Sequence, residues 1–200
     1  MKLIVASNNP GKLAFLEQFF TGTGHILERC GVDLTVEENG ADPAENALIK
    51  AEACVERLGK PAVALDSGLY FVELPMDDPR QPGLYVRRVN GGELSYEEMA
   101  GHYRALARSF GGRVKAAWCD GYAVSFGKGR SASFLMPEWA RITQSFWLLD
   151  ERRGEISPGM PIDCISEFLP RTEEIVRTEA EYHKKLRRFF RETIAAYEVI

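Results

Sequence analysis

Between a short apolar stretch and a helix-like repeat, the chain carries Ser7-Asn8-Asn9-Pro10-Gly11-Lys12. A loop that enters a helix offers unpaired backbone N–H groups at the positive end of the helix dipole, and both favour an anion. Lys12 adds a mobile positive charge, and Ser7 and Asn9 add short donors. It is not a Walker A loop, because the first glycine and the Ser/Thr after the lysine are missing. The same residues also read as an ordinary helix start, with Asn9 as the cap and Pro10 in the first helical position.

Acidic residues supply the context. Glu37 and Glu38 precede a second helix, Glu45 lies in its first turn, and Asp66 ends an apolar strand just before Ser67-Gly68. Strand ends of this kind are where open α/β sheets bind ligands. Three acids brought together would hold one or two hard cations, Mg²⁺ or Mn²⁺, against a polyphosphate. Each acid also has a plainer role: Glu45 closes a capping box, Glu37 and Glu38 are solvated, and Asp66 makes a turn. Lys50, one turn beyond Asn46, is either an exposed charge or a second phosphate contact. Near the end of the chain, Tyr182-His183-Lys184-Lys185 opens a basic face continued by Arg187, Arg188 and Arg191. Such a run is the usual solvated side of an amphipathic helix. His183 beside a lysine could read heteroatoms on a base edge, or serve as a structural histidine.

Composition narrows the classes. With 25 Lys+Arg against 29 Asp+Glu in 200 residues, the net charge is −4, which argues against a nucleic-acid-coating protein. Four scattered cysteines without a C-x-x-C pair and only three histidines exclude a zinc or disulfide framework, so any metal is held by carboxylates. Apolar runs such as Leu69-Tyr70-Phe71-Val72 fall far short of the roughly 18 residues that span a bilayer, and Met1 to Ala6 lack a signal-peptide core. A cytoplasmic protein without membrane partners is expected, folded as a single two-lobed domain over 1–200.

The elements that must position these groups follow from the periodicity. Residues 2–6 read as a buried strand, and Leu13, Leu16, Phe19 and Phe20 as one helix face. Asp42, Pro43 and Glu45 start a second helix with the stripe Ala47, Leu48, Ala51, Val55 and Leu58, and Gly59 stops it. Pro61 to Leu65 reads as a strand, 69–74 continues extended, and 75–83 is loop. Ser95 and Glu98 cap a third helix. Segments 114–126, 130–136 and 141–149 look like an antiparallel meander, and a final helix follows Pro170 with Ile175, Tyr182, Leu186, Phe189, Phe190 and Ile194 inward. The sum is an α/β fold with a mixed sheet and flanking helices.

In this order, Ala6-Ser7-Asn8-Asn9-Pro10-Gly11-Lys12, Glu45-Asn46-Ala47-Leu48-Ile49-Lys50-Ala51, Asp66-Ser67-Gly68-Leu69 and Pro82-Gly83-Leu84-Tyr85 resemble the inosine triphosphate pyrophosphatase family. The match is close over the first half and weak beyond it. The resemblance implies an elongated mixed sheet with two lobes around a cleft, homodimers, and Mg²⁺-dependent hydrolysis of unusual purine nucleoside triphosphates such as ITP, dITP and XTP to monophosphate and pyrophosphate. It makes Ser7, Asn8, Asn9 and Lys12 the triphosphate loop and Lys50 a further phosphate contact. It places Glu38 and Asp66, with Glu45 nearby, on the metal, Asp66 on water activation and Ser67 beside it. Lys12 and Lys50 then stabilise the departing pyrophosphate.

Departures from the family pattern gather at base recognition. The usual Asp-Asp-Ser-Gly is Leu65-Asp66-Ser67-Gly68 here, one acid fewer. Arg87 stands where a small residue is usual. The glycine-aromatic run that stacks on the base and ends in Asp is Gly159-Met160-Pro161-Ile162-Asp163, and Met160 is a less selective platform than an aromatic face. The Ser-His-Arg reader of the purine edge becomes Tyr182-His183-Lys184, with Thr178 at an expected lysine and Arg177 adjacent. A modified base is therefore expected, and the missing acid keeps open a protein that binds a nucleotide without turning it over.

Overall fold

The computed structural model describes residues 1–89, 91–157 and 159–198. Its strands are β1 (Lys2–Val5), β2 (Ile26–Arg29), β3 (Ala62–Phe71), β4 (Arg88–Val89), β5 (Gly92–Glu93), β6 (Arg113–Ser125), β7 (Ser131–Leu135), β8 (Phe146–Leu149) and β9 (Ser166–Phe168). Its helices are α1 (Pro10–Phe20), α2 (Pro43–Leu58), α3 (Tyr96–Ser109), α4 (Glu138–Thr143) and α5 (Glu173–Glu198). A mixed sheet runs in the order β2-β1-β3-β6-β8-β9, with β7 also on β6, which bears out the α/β expectation. Among the described residues no helix is long and apolar enough to cross a membrane.

The chain divides into two compact units. The first comprises 1–67, 120–137 and the part of α5 from 179 onward. In it β1 pairs in parallel with β2 and β3, and the far half of β6 pairs antiparallel with β7. Helix α2 lies on this sheet through small side chains: Ala47 and Ala51 meet Ala62, Ala64 and Ala123 in one buried cluster. The approach is closest at Gly121, where a Cβ would fall 2.1 Å from the Ala44 nitrogen, so no other residue fits without moving the helix. The opposite face is aromatic, with Phe19, Phe20 and Tyr122 each in ring contact with Phe190.

Helix α2 is fixed at both ends by its sequence. Asp42 Oδ1 accepts from the Ala44 and Glu45 nitrogens at 2.7 and 2.9 Å, Pro43 occupies the first turn, and Gly59 ends it with φ 64°. Such a cap contributes about 1 kcal/mol.

The second unit, 68–119 and 138–178, buries Leu69, Phe71, Tyr103, Phe146 and Ile165 around antiparallel β6-β8-β9 pairs, with α3 against β8. The capping box of α3 forms as read, Ser95 with Glu98.

Three differences from the sequence reading have clear causes. Residues 62–71 form one uninterrupted strand, so Asp66 does not turn the chain; Leu69 exchanges both backbone hydrogen bonds with Gly83, which keeps the strand extended past Ser67-Gly68. Residues 141–143 are helical, not extended, because α4 is closed by Thr143 Oγ1 on the Trp139 carbonyl and by an Arg141–Glu138 pair. The edge strands β2 and β9 have only four and three residues, too few to show a period.

Candidate functional site

The first unit brings together the loop entering α1, helix α2 and the middle of β3. Ala62 and Ala64 face α2, and the period of two puts Asp66 on that side too. Asp66 is only 6% exposed, and two ammonium groups converge on its Oδ1: Lys50 Nζ at 2.7 Å and Lys12 Nζ at 3.5 Å. Lys12 also donates to the Leu65 carbonyl at 3.0 Å, and Lys50 reaches Glu38 Oε1 at 3.1 Å. Burial, reinforced by the neighbouring Lys50 charge, pulls the Lys12 pKa below its ordinary value against the opposing pull of Asp66.

The segment before α2 delivers Glu38. Asn46, 1% exposed, accepts from the Gly40 nitrogen with its Oδ1 at 2.9 Å, and a Cβ on Gly40 would lie 2.7 Å from the Glu45 Cβ. Only glycine allows the chain to wrap this closely over the first turn. Glu45 Oε2 accepts instead from the Ala41 nitrogen at 2.7 Å, one residue before the Asp42 cap, so the expected capping box is replaced by a bond that ties the approaching chain to the first turn. Among the described residues no three His, Cys, Asp or Glu side chains are gathered to hold a metal ion, so the three-acid set Glu38, Glu45 and Asp66 is not assembled in this conformation. Lys50 stands between Glu38 and Asp66, and Glu45 is held by the helix start. A hard divalent cation nevertheless suits the two carboxylates, because their oxygens already converge on one cationic nitrogen.

In the α1 loop, Asn9 Oδ1 caps the helix by accepting from Gly11 N at 2.8 Å, Ser7 Oγ accepts from Asn9 N, and Asn8 Nδ2 donates to the Val32 carbonyl. Both readings of the loop are thus compatible: Asn9 is the cap, while Lys12 projects from the same turn to Asp66.

Ser67, Asp66's neighbour, donates to Asp120 Oδ1 at 2.7 Å. Asp120 had no signal in the sequence beyond being one acid inside an apolar strand, and that interruption was the clue. Burial raises its pKa, while hydrogen bonds from Ser67 and Tyr122 and the charge of Lys12 oppose the rise. On α5, Tyr182 is buried with its hydroxyl on Tyr122, while His183 is half-buried with Phe19 against its ring edge, and Lys184 is exposed. Burial lowers the His183 pKa, which favours the neutral imidazole. Met160 and Asp163 lie in the second unit, Met160 51% exposed and Asp163 at the start of a 3₁₀ turn.

Residues 3–131 match the model described as the Ham1 family. The chain belongs to the Ham1 family. This bears out the resemblance drawn from the motifs in its first half. It is 43% identical over 93 residues to a dITP/XTP pyrophosphatase of Gloeobacter violaceus, covering 46% of each protein, and 40% identical over 100 residues to one of Halorhodospira halophila, again covering 46% of each. The chain thus spans about half the length of the curated relatives it matches. Solved Ham1 proteins share the fold along the whole chain. The Staphylococcus aureus Ham1 structure superposes with a TM-score of 0.64 at 24% identity, covering 96% of this chain and 99% of that one. The HAM1 protein of Coxiella burnetii gives 0.64 at 20% identity with the same coverage.

Proposed function

We propose that this Ham1 protein is a nucleoside triphosphate pyrophosphatase that hydrolyses a nucleoside triphosphate with an ITP-, dITP- or XTP-like or another modified base to monophosphate and pyrophosphate. The observation that carries this reading is the convergence of Lys12 and Lys50 on one oxygen of Asp66 at 3.5 and 2.7 Å. The dITP/XTP pyrophosphatase relatives support the same chemistry.

The arrangement couples binding to the freeing of Asp66. Both ammonium groups occupy its Oδ1 before a triphosphate arrives. A triphosphate offers them more negative charge, and as they turn to its β- and γ-phosphates, Asp66 is released to accept a proton from water. The water oxygen then bonds to the α-phosphorus, the bond from that phosphorus to the bridging oxygen breaks, and the electron pair leaves on pyrophosphate, whose charge Lys12 and Lys50 hold. Glu38 and Asp66 would hold Mg²⁺, which when bound screens the phosphate charge. We assign to the base His183 and Lys184 of the first unit and, in the second unit, the exposed Met160 and Asp163.

The test is pyrophosphate release across natural and modified nucleoside triphosphates with Mg²⁺ or Mn²⁺. At least one turns over, and Asp66→Asn lowers that rate by at least about 10³-fold. No turnover of any member refutes the enzyme. Binding without turnover is the second reading, favoured by Leu65, a buried apolar side chain, 5% exposed, beside Asp66 where the family pattern has an acid. Calorimetry that shows tight nucleotide binding and no product would select it.

A further inference from the structure

We propose that Asp120 is a positioning residue of the polyphosphate site, fixing the Ser67 hydroxyl beside Asp66 and balancing the charge of Lys12. The inference rests on the proposed polyphosphate chemistry of Lys12, Lys50 and Asp66 and assigns a further residue to it.

On β6, Gly121 and Ala123 face α2, so Asp120 and Tyr122 face the other side, where Tyr122 meets Phe15 and Phe190. An aromatic face is a costly place for a carboxylate unless donors compensate it. Here they are arranged around it: Ser67 Oγ on Oδ1 at 2.7 Å, the Tyr122 hydroxyl on Oδ2 at 3.3 Å, and Tyr182 donating onward to Tyr122 at 2.8 Å. Lys12 and Asp66 both act on Asp120 electrostatically. The carboxylate therefore does two things. It consumes the one proton of the Ser67 hydroxyl, so that Ser67 presents only acceptor lone pairs to its surroundings. It also adds a negative charge that a triphosphate must overcome to win Lys12.

These roles give opposite effects on binding and on turnover, which a merely structural polar network would not. Asp120→Asn removes the charge and weakens the charge-assisted hydrogen bond from Ser67 to a neutral one. Metal-free tripolyphosphate, followed by calorimetry, binds this variant roughly threefold to tenfold more tightly than the wild type. With the nucleotide found active in the panel, kcat falls about 10- to 100-fold while KM does not rise. Ser67→Ala lowers kcat without changing tripolyphosphate affinity, and it reads the proposal even where Asp120→Asn does not fold. The double variant is no worse than the poorer single variant, because both act through one hydrogen bond.

Wild-type kcat and affinity in Asp120→Asn, or losses that multiply in the double variant, overturn the proposal and leave the pyrophosphatase intact. Absence of turnover in the wild type, with tripolyphosphate still bound more tightly by Asp120→Asn, overturns the enzyme and upholds the placement of Asp120. A wild type that binds no tripolyphosphate overturns both.

Discussion

Replacing Lys50 by methionine separates the two cations that compete for the site. Lys50, Glu38 and Asp66 have side-chain exposures of 14, 19 and 8%, so the ammonium and its two carboxylates are poorly solvated. Removing one partner of a fully buried pair costs about 3–5 kcal/mol. Here the Lys12 ammonium remains 3.5 Å from Asp66 and water reaches the edges, so we expect a loss of about 2–3 kcal/mol for Lys50→Met without metal. Urea unfolding in the presence of a chelator measures it. Saturating Mg²⁺ then acts in the opposite sense. In the wild type it must displace the Lys50 ammonium, whereas in Lys50→Met the same carboxylates are uncontested. A ligand at 100 times its dissociation constant stabilises by about 2.7 kcal/mol, so Mg²⁺ should restore most of the variant's loss and raise its stability by at least about 1 kcal/mol more than it raises the wild type's. Pyrophosphate release still falls about 100-fold or more, because a phosphate contact is gone. Equal stability of the two proteins without metal, or equal stabilisation by Mg²⁺, would show that Lys50 does not hold the cation position between Glu38 and Asp66.

Two further outcomes test the frame around the site. Gly121→Ala drives a Cβ to within 2.1 Å of the α2 backbone, where ordinary contact begins at 3.4 Å, so the first turn of α2 must retreat by more than 1 Å. We expect a loss of about 3 kcal/mol or more in urea, and a variant of wild-type stability would refute the close packing. In the second unit, Arg80 grips Asp78 through both carboxylate oxygens and holds its pKa down at about 2. A lowered carboxyl pKa stabilises the fold above the ordinary value near 4 and loses that contribution as pH falls through the folded one. The stability difference between wild type and Arg80→Ala should therefore shrink between about pH 4 and pH 2, and a difference independent of pH would exclude the pair as its source.

Much of the catalytic end was legible because it is built from local signals. The Asp42, Pro43 and Glu45 start of α2 and its Ala47 and Ala51 stripe specify a helix that needs no distant partner to be recognised, and its third turn carries Lys50 to β3. Asn9 and Pro10 specify the start of α1 in the same way. What stayed hidden depends on contacts across the sequence. Nothing local reveals that Ser67 meets Asp120, 53 positions away, or that Lys50 rather than a third acid stands between Glu38 and Asp66. Asp66 looked like a turn residue because Asp-Ser-Gly is a turn composition, and only the pairing of Leu69 with Gly83 keeps the strand straight. The short helix α4 was masked by β-branched and aromatic residues whose strand preference is overridden by its own hydrogen bonds.

The contrast between retained and altered motifs also has a physical basis. Lys12, Lys50, Glu38 and Asp66 form one chain of ion pairs, so changing any one weakens the pairing of a charge in a poorly solvated place, and the penalty falls on the fold as well as on the chemistry. Asn46 and Gly40 add a second constraint, since the chain segment that presents Glu38 cannot accept a side chain at Gly40. Met160 and Lys184 carry no such coupling: both are exposed, and substitution there leaves no buried partner unsatisfied. The phosphate end is therefore locked by its own electrostatics, whereas the residues we assign to the base can change at little cost in stability. Such a distribution of constraints holds the proposed polyphosphate site fixed while the residues proposed for the base vary.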